Sequence, residues 1–174
     1  MHLLDSIQRL ASTERLLFLV SGGHAVIAHG APRNTFDLDL IVRREDSHAW
    51  IQLLAGLDYK PIHETPVFLQ FEAVKTSGLP LDLMLVNSET FLKLAAEAIL
   101  NPAGTPEAKF VGLEHLVALK CHALKHGHAR RAVKDFNDLI MLAEANHLDY
   151  KDEEWRNLIL KHGTPELYDQ LRKI

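Results

Sequence analysis

The sequence predicts an α/β fold, in which a small mixed sheet with flanking helices is followed by a helical C-terminal lobe. Up to Asn87, helical segments alternate with short β-like runs, and after it the apolar spacing is helical almost throughout. A chain of 174 residues, 47% hydrophobic and 24% charged, has the size and composition of one globular domain. We therefore expect an α/β core, residues 1–87, and a helical lobe, residues 88–174, packed on that core.

Eight segments of the core have apolar residues at the spacing of a helix or of a strand. Helices are predicted at 3–13, 24–29 and 46–57, and strands at 16–20, 36–42, 60–63, 67–74 and 81–86. In the lobe, a helix capped by Ser88 is expected to run to about Leu100, before a loop at 102–106. Helices at 113–125 and 129–145, joined by His126-Gly127-His128, predict an antiparallel hairpin, and Thr164-Pro165 begins a last helix.

Several classes of protein are excluded by composition. The longest apolar run, Leu16 to Val20, has five residues, whereas a membrane-spanning helix needs about 20. The N-terminal residues have no basic and apolar signal regions, so we expect a cytoplasmic protein. The single Cys121 is incompatible with a disulfide scaffold or a cysteine-rich zinc site. A net charge of −4 argues against a protein that coats DNA.

Acidic residues lie within two of the predicted strands. Asp37 and Asp39 are two apart, so they lie on one face of a strand, roughly 6.6 Å from each other. Asp82 lies among apolar strand formers, where an acid is costly unless it is paired or bound to a metal. A divalent metal, Mg²⁺ or Mn²⁺, would relieve the repulsion between such carboxylates. The alternative is an edge strand whose acids face water.

A glycine pair follows the first predicted strand, at Ser21-Gly22-Gly23. Glycine permits close approach of the backbone to a ligand, and a helix that begins there directs its N–H groups at an anion such as phosphate. The alternative is an ordinary turn from strand to helix.

The segment from His115 to Lys134 is basic, with five lysines and arginines, four histidines and no acid. Lys120 and Lys134 lie seven residues to either side of Gly127, about 10.5 Å along each helix, so the hairpin would place them level with each other. We expect them to converge on one ligand. A solvated helix face is the alternative, and zinc binding by the three histidines around Gly127 is a further one.

Three features follow one another along the chain: Gly22-Gly23, then, after a gap of thirteen residues, Asp37-Leu38-Asp39-Leu40, and later Asp82. This pattern resembles the DNA polymerase β-like nucleotidyltransferase superfamily, whose hallmark is hG[GS] followed by DhDh. The fuller pattern adds His29-Gly30, Arg33 and Thr35, then Lys120 and the segment from Arg131 to Leu139 far downstream. It resembles the AbiEii/AbiGii toxin-type branch over residues 16 to about 145. The chain is short for that branch.

This resemblance implies a role for each matching residue. Asp37, Asp39 and Asp82 would be the metal-binding carboxylates. The triphosphate would contact Ser21, Gly22, Gly23, Arg33, Lys120 and Lys134. Asp135 would be functional, with Asp138 orienting it.

The implied function is Mg²⁺-dependent transfer of a nucleoside monophosphate from a nucleoside triphosphate (NTP) to an acceptor hydroxyl, with release of pyrophosphate. The acceptor stays open between an RNA such as a tRNA 3′ end, a protein side chain and a small molecule such as an aminoglycoside. A toxin of this type would have an antitoxin as its partner. The alternatives are a non-catalytic protein of the same fold, acting as an antitoxin or complex subunit, and a metal-dependent phosphohydrolase.

Overall fold

The computed structural model describes residues 2–75, 78–104, 107–127 and 129–174 and confirms the predicted α/β class. Within those residues the helices are α1 (His2–Glu14), α2 (Gly22–Ala28), α3 (Ser47–Ala55), α4 (Ser88–Ala96), α5 (Leu113–His126), α6 (Ala129–Asn146), α7 (Glu153–His162) and α8 (Pro165–Leu171). The strands are β1 (Phe18–Val20), β2 (Leu38–Arg43), β3 (Tyr59–Thr65), β4 (Phe68–Ala73), β5 (Leu81–Val86), β6 (Ile99–Leu100) and β7 (Lys109–Phe110). A 3₁₀ turn, Arg44–Asp46, precedes α3.

The chain forms two compact units. Unit 1 comprises Met1–Ala25 and Asn34–Val111, and unit 2 comprises Val26–Arg33 and Gly112–Ile174. The expected division into an α/β core, residues 1–87, and a helical lobe, residues 88–174, stays a prediction.

Unit 1 contains the whole described sheet, in the order β3-β4-β5-β2-β1-β7-β6. The sheet is mixed: β2 pairs with β5 and β1 with β7 in parallel, and the other pairs are antiparallel. Its central strands are apolar and buried, as strands covered on both faces must be. Trp50 of α3 is fully buried and packs edge to face on Phe18, with ring centroids 5.8 Å apart.

Two predictions for unit 1 were wrong. The helix that begins at Ser88 ends at Ala96 instead of Leu100, and the next residues form β6, which pairs with β7. Asn87, and not Ser88, caps α4: its side-chain oxygen accepts a hydrogen bond from the Thr90 amide at 2.7 Å. The Ser88 hydroxyl donates to the Glu45 carboxylate instead.

Unit 2 contains the predicted hairpin of α5 and α6, and α7 also packs on α5. The last helix begins as expected, because Thr164 Oγ1 accepts a hydrogen bond from the Leu167 amide and Pro165 occupies the first turn. Burial raises the pKa of the Cys121 thiol to about 12, so this cysteine stays protonated. Pro106 and His128, which belong to the predicted loop and hairpin, lie outside the described residues. No helix in the described ranges is both long and apolar enough to cross a membrane.

Candidate functional site

The turn after β1 brings a glycine against a carboxylate. The Ser21 amide donates to the Asp39 carbonyl at 2.9 Å, which fixes the end of β1 beside β2. Gly22 has a positive φ of 57°, and a Cβ there would lie 1.8 Å from Asp39 Oδ2. Glycine is therefore required at position 22 for its backbone conformation and for the space that Asp39 occupies.

Two acids of unit 1 lie side by side across neighbouring strands. Asp39 of β2 and Asp82 of β5 are register partners in a parallel pair, so their side chains share one face of the sheet. The backbones of such neighbouring strands lie about 4.8 Å apart. Gln70 of β4 is the next residue in the same row. The Asp82 residue is only 3% exposed. A buried carboxylate beside a second one favours a bound cation.

Asp37 lies just before β2, and a hydrogen bond from Thr35 Oγ1 to Asp37 Oδ1 at 2.7 Å holds its carboxylate. The sequence interpretation gave Thr35 no role. The signal for one was present, because a threonine two residues before an acid is well placed for a local side-chain hydrogen bond.

The fit of these acids to a metal rests on the donor set. Among the described residues no three or more His, Cys, Asp or Glu side chains form a group arranged to hold a metal ion. Asp39 and Asp82 nevertheless supply paired carboxylates, and Mg²⁺ is usually bound by one or two carboxylates together with substrate phosphates. The oxygen donors therefore fit Mg²⁺ or Mn²⁺, and the three-carboxylate site stays a prediction. Of the three histidines named as alternative zinc ligands, His122 and His126 have ring centroids 4.5 Å apart, and His128 lies outside the described residues.

Unit 2 contains a buried cluster of four charges, which we call the ion-pair cluster: Arg33, Lys120, Asp135 and Asp138. Lys120 Nζ lies 2.7 Å from Asp135 Oδ1 and 2.6 Å from Asp138 Oδ2. Arg33 Nη1 donates to the same Asp138 oxygen at 3.0 Å. The cluster contains two cations and two carboxylates, so its formal charges balance.

The ion-pair cluster bears on two expectations. Lys120 pairs with the acids of α6, whereas Lys134 is exposed, and their convergence on one ligand stays a prediction. Consecutive residues of a helix point about 100° apart, so Lys134 and Asp135 of α6 take different directions. Asp138 was expected to orient Asp135, but it contacts Lys120 and Arg33. Because Asp135 and Asp138 are three apart on α6, they lie on one face, a spacing that could have predicted this.

No family model matches the sequence, and no curated protein matches it. Solved structures do match. An antigenic nucleotidyltransferase-like protein from Paracoccidioides brasiliensis is similar over 97% of this chain and 90% of that one, with 13% identity and a TM-score of 0.56. The lincosamide antibiotic adenylyltransferase LnuA, solved with lincomycin bound, is similar over 82% of this chain and 95% of that one, with 17% identity and a TM-score of 0.56.

The antibiotic-resistance factor ANT(2″)-Ia is also similar, over 99% of this chain and 88% of that one, with 17% identity and a TM-score of 0.54. None of the three is described as a member of the AbiEii/AbiGii branch, so that branch stays a hypothesis. At these identities the comparisons establish the fold. This chain therefore has the nucleotidyltransferase fold that the glycine pair and the strand acids predict.

Proposed function

We propose that this protein is a nucleotidyltransferase that moves a nucleoside monophosphate from an NTP to an acceptor hydroxyl. The observation that carries the proposal is the juxtaposition in unit 1 of Asp39 with Asp82, in register on parallel strands, and with Gly22, whose missing Cβ makes room for the Asp39 carboxylate. The fold shared with LnuA and ANT(2″)-Ia supports it.

In unit 1, Asp37, Asp39 and Asp82 would hold Mg²⁺ or Mn²⁺. The bound metal would offset the phosphate charge and make the acceptor hydroxyl more acidic. Thr35 holds the Asp37 carboxylate in one direction through its 2.7 Å hydrogen bond, which reduces the ordering needed when the substrate binds. The resemblance assigns contacts with the triphosphate to Ser21, Gly22 and Gly23.

In unit 2, the resemblance assigns Asp135 and Lys120 to the reaction. The acceptor oxygen forms a bond to the α-phosphorus, and the bond from that phosphorus to the oxygen bridging to the β-phosphate breaks. The electron pair of that bond leaves with pyrophosphate, and Asp135 takes the hydroxyl proton. Lys120 and, more peripherally, Arg33 and Lys134 would interact with phosphate.

The acceptor is proposed at the level of its reactive group, a hydroxyl. The resemblance favours an RNA such as a tRNA 3′ end. Among the structural neighbours, LnuA was solved with lincomycin and ANT(2″)-Ia with adenylyl-2″-tobramycin, which favours a small molecule with several hydroxyls. Pairing with an antitoxin and a cytoplasmic location stay predictions.

The proposal is tested by incubating the protein with each α-³²P-labelled NTP, Mg²⁺, and either total RNA, cell lysate or an aminoglycoside and lincosamide panel. We expect one acceptor to become labelled, and the label to disappear with Asp39→Asn. Glu64→Gln, which removes an exposed acid of β3, is the matched control and should keep the activity. NTP binding without labelling of any acceptor would instead indicate a non-catalytic binding protein.

A further inference from the structure

Asp138 is the deepest member of the ion-pair cluster in unit 2. Its side chain is 1% exposed, whereas those of Lys120 and Asp135 are 10% and 11% exposed. One Asp138 oxygen receives both the Lys120 ammonium and the Arg33 guanidinium. The cluster therefore has an inner carboxylate and an outer one, with Lys120 between them.

We infer that Asp138 is a positioning residue, which holds the Lys120 ammonium in place while the Asp135 carboxylate gains and releases the proton of the acceptor hydroxyl. This inference rests on the proposed function for the proton step alone. The fixed position of Lys120 follows from the cluster itself.

The charges of the buried ion-pair cluster must stay balanced while Asp135 changes its own charge. When Asp135 takes a proton, it no longer offsets the charge of Lys120. A buried ammonium left without a carboxylate is costly, and that cost would oppose the proton transfer. Asp138 lies 2.6 Å from Lys120 Nζ, so one carboxylate remains beside the ammonium at every stage. Asp135 can then change its charge without the loss of Lys120 from the cluster.

Arg33 completes the same logic. Asp138 would be a buried anion without a cation beside it if Lys120 moved away and Arg33 were absent, and Arg33 Nη1 at 3.0 Å prevents that state. The three segments that meet at Asp138 are the end of residues 26–33, α5 and α6, all within unit 2.

The kinetic test compares Asp138→Asn with Glu144→Gln, which removes an exposed acid of the same helix. Asparagine keeps the shape of the side chain but not its charge. We expect kcat for transfer to fall by about 10²-fold, as for the loss of a general base, with the KM for the NTP within about twofold. Asp138→Glu should recover part of kcat. A kcat within about twofold of the wild type in a folded Asp138→Asn protein would overturn the inference.

A second measurement needs neither activity nor a folded Asp138→Asn variant. Asp135→Asn imitates the protonated Asp135, and the side-chain ¹⁵N–¹H signal of the Lys120 ammonium, assigned by its loss in Lys120→Met, reports whether the ammonium stays fixed. We expect this slowly exchanging signal to persist in Asp135→Asn. Its disappearance there would overturn the inference, because Asp138 would then be unable to hold Lys120 alone.

The two measurements separate the inference from the proposed function. If the wild type labels no acceptor, the proposed function fails, and the ammonium signal still decides whether Asp138 fixes Lys120. If the wild type transfers nucleotides and Asp138→Asn does so at the same kcat, the inference fails while the proposed function stands.

Discussion

The acids of unit 1 and the acids of unit 2 are arranged in opposite ways. In unit 1, Asp39 and Asp82 lie side by side in register on neighbouring strands. In unit 2, Asp135 and Asp138 face Lys120, and Asp138 also faces Arg33. The first arrangement brings like charges together, and a cation supplied with the substrate would relieve their repulsion. The second balances its own charges, so the loss of one member would leave a buried charge without its partner.

The comparison predicts that loss of an acid has opposite consequences for stability in the two units. Removing one of two neighbouring like charges relieves repulsion, whereas removing one member of a buried ion pair leaves its partner uncompensated.

The largest expected effect is on activity in unit 1. Asp39→Asn should lower kcat/KM for transfer by at least about 10³-fold, because the site would lose a ligand of the metal that stabilises the developing charge. The free energy of unfolding should stay equal or rise, since one repulsive charge disappears. Urea denaturation and the labelling assay measure the two quantities. An Asp39→Asn protein that unfolds easily and binds no less Mg²⁺ than the wild type would instead assign Asp39 a structural role.

In unit 2 the largest effect should be on stability. Lys120→Met removes the cation between two buried carboxylates, and breaking such a pair typically costs about 3–5 kcal/mol of unfolding free energy. Lys93→Met is the control, because Lys93 forms an exposed i,i+4 pair with Glu89 on α4, and its loss should cost under about 0.5 kcal/mol. Equal losses in the two variants would contradict a stabilising role for the ion-pair cluster.

Alanine substitutions at two glycines, Gly22 and Gly104, separate the cost of backbone strain from the cost of crowding. Gly22→Ala should cost about 2–4 kcal/mol, since its positive φ disfavours alanine and its Cβ would meet the Asp39 carboxylate. Gly104 also has a positive φ, of 79°, but nothing lies within 4 Å of its would-be Cβ. Gly104→Ala should therefore cost only about 1–2 kcal/mol. Similar thermal unfolding of both variants would exclude the contact with Asp39 as the additional constraint.

The sequence predicted unit 1 better than the ion-pair cluster, for physical reasons. Strand β5, Leu81–Val86, was predicted with its observed bounds, because apolar β-formers between turn residues are a local signal. Strands β6 and β7 have two residues each, which is too short for an alternating pattern; β7 depends on pairing with β1, and β6 on pairing with β7. The glycine pair and the acid spacing are equally local, but it was the resemblance of the combined pattern to the superfamily that assigned Gly22 and Asp39 to one site.

The ion-pair cluster depends instead on which helix faces meet. Counting residues from Gly127 gives the height of Lys120 and Lys134 along the hairpin but not their direction around each helix. The partner of Lys120 is fixed by α5 packing on the face of α6 that presents Asp135 and Asp138. Arg33 joins them from 105 residues away along the chain, a contact that no local pattern reveals.

The smallest expected effect concerns pH and a basic surface of unit 2. Burial first, and then the nearby charges of Lys161, His122, His115 and Lys125, lower the pKa of His162 at the end of α7. A histidine whose pKa is lower in the folded state binds fewer protons there than in the unfolded chain, so acidification through the unfolded value of about 6.5 costs stability. The wild type should therefore lose unfolding free energy between pH 7.5 and 5.5, and His162→Gln should lose less. His63→Gln, at an exposed histidine of β3, controls for loss of a histidine elsewhere. Urea titrations at the two pH values give the difference, and an unchanged pH dependence in His162→Gln would show that neither burial nor the neighbouring positive charges lower the pKa of this residue.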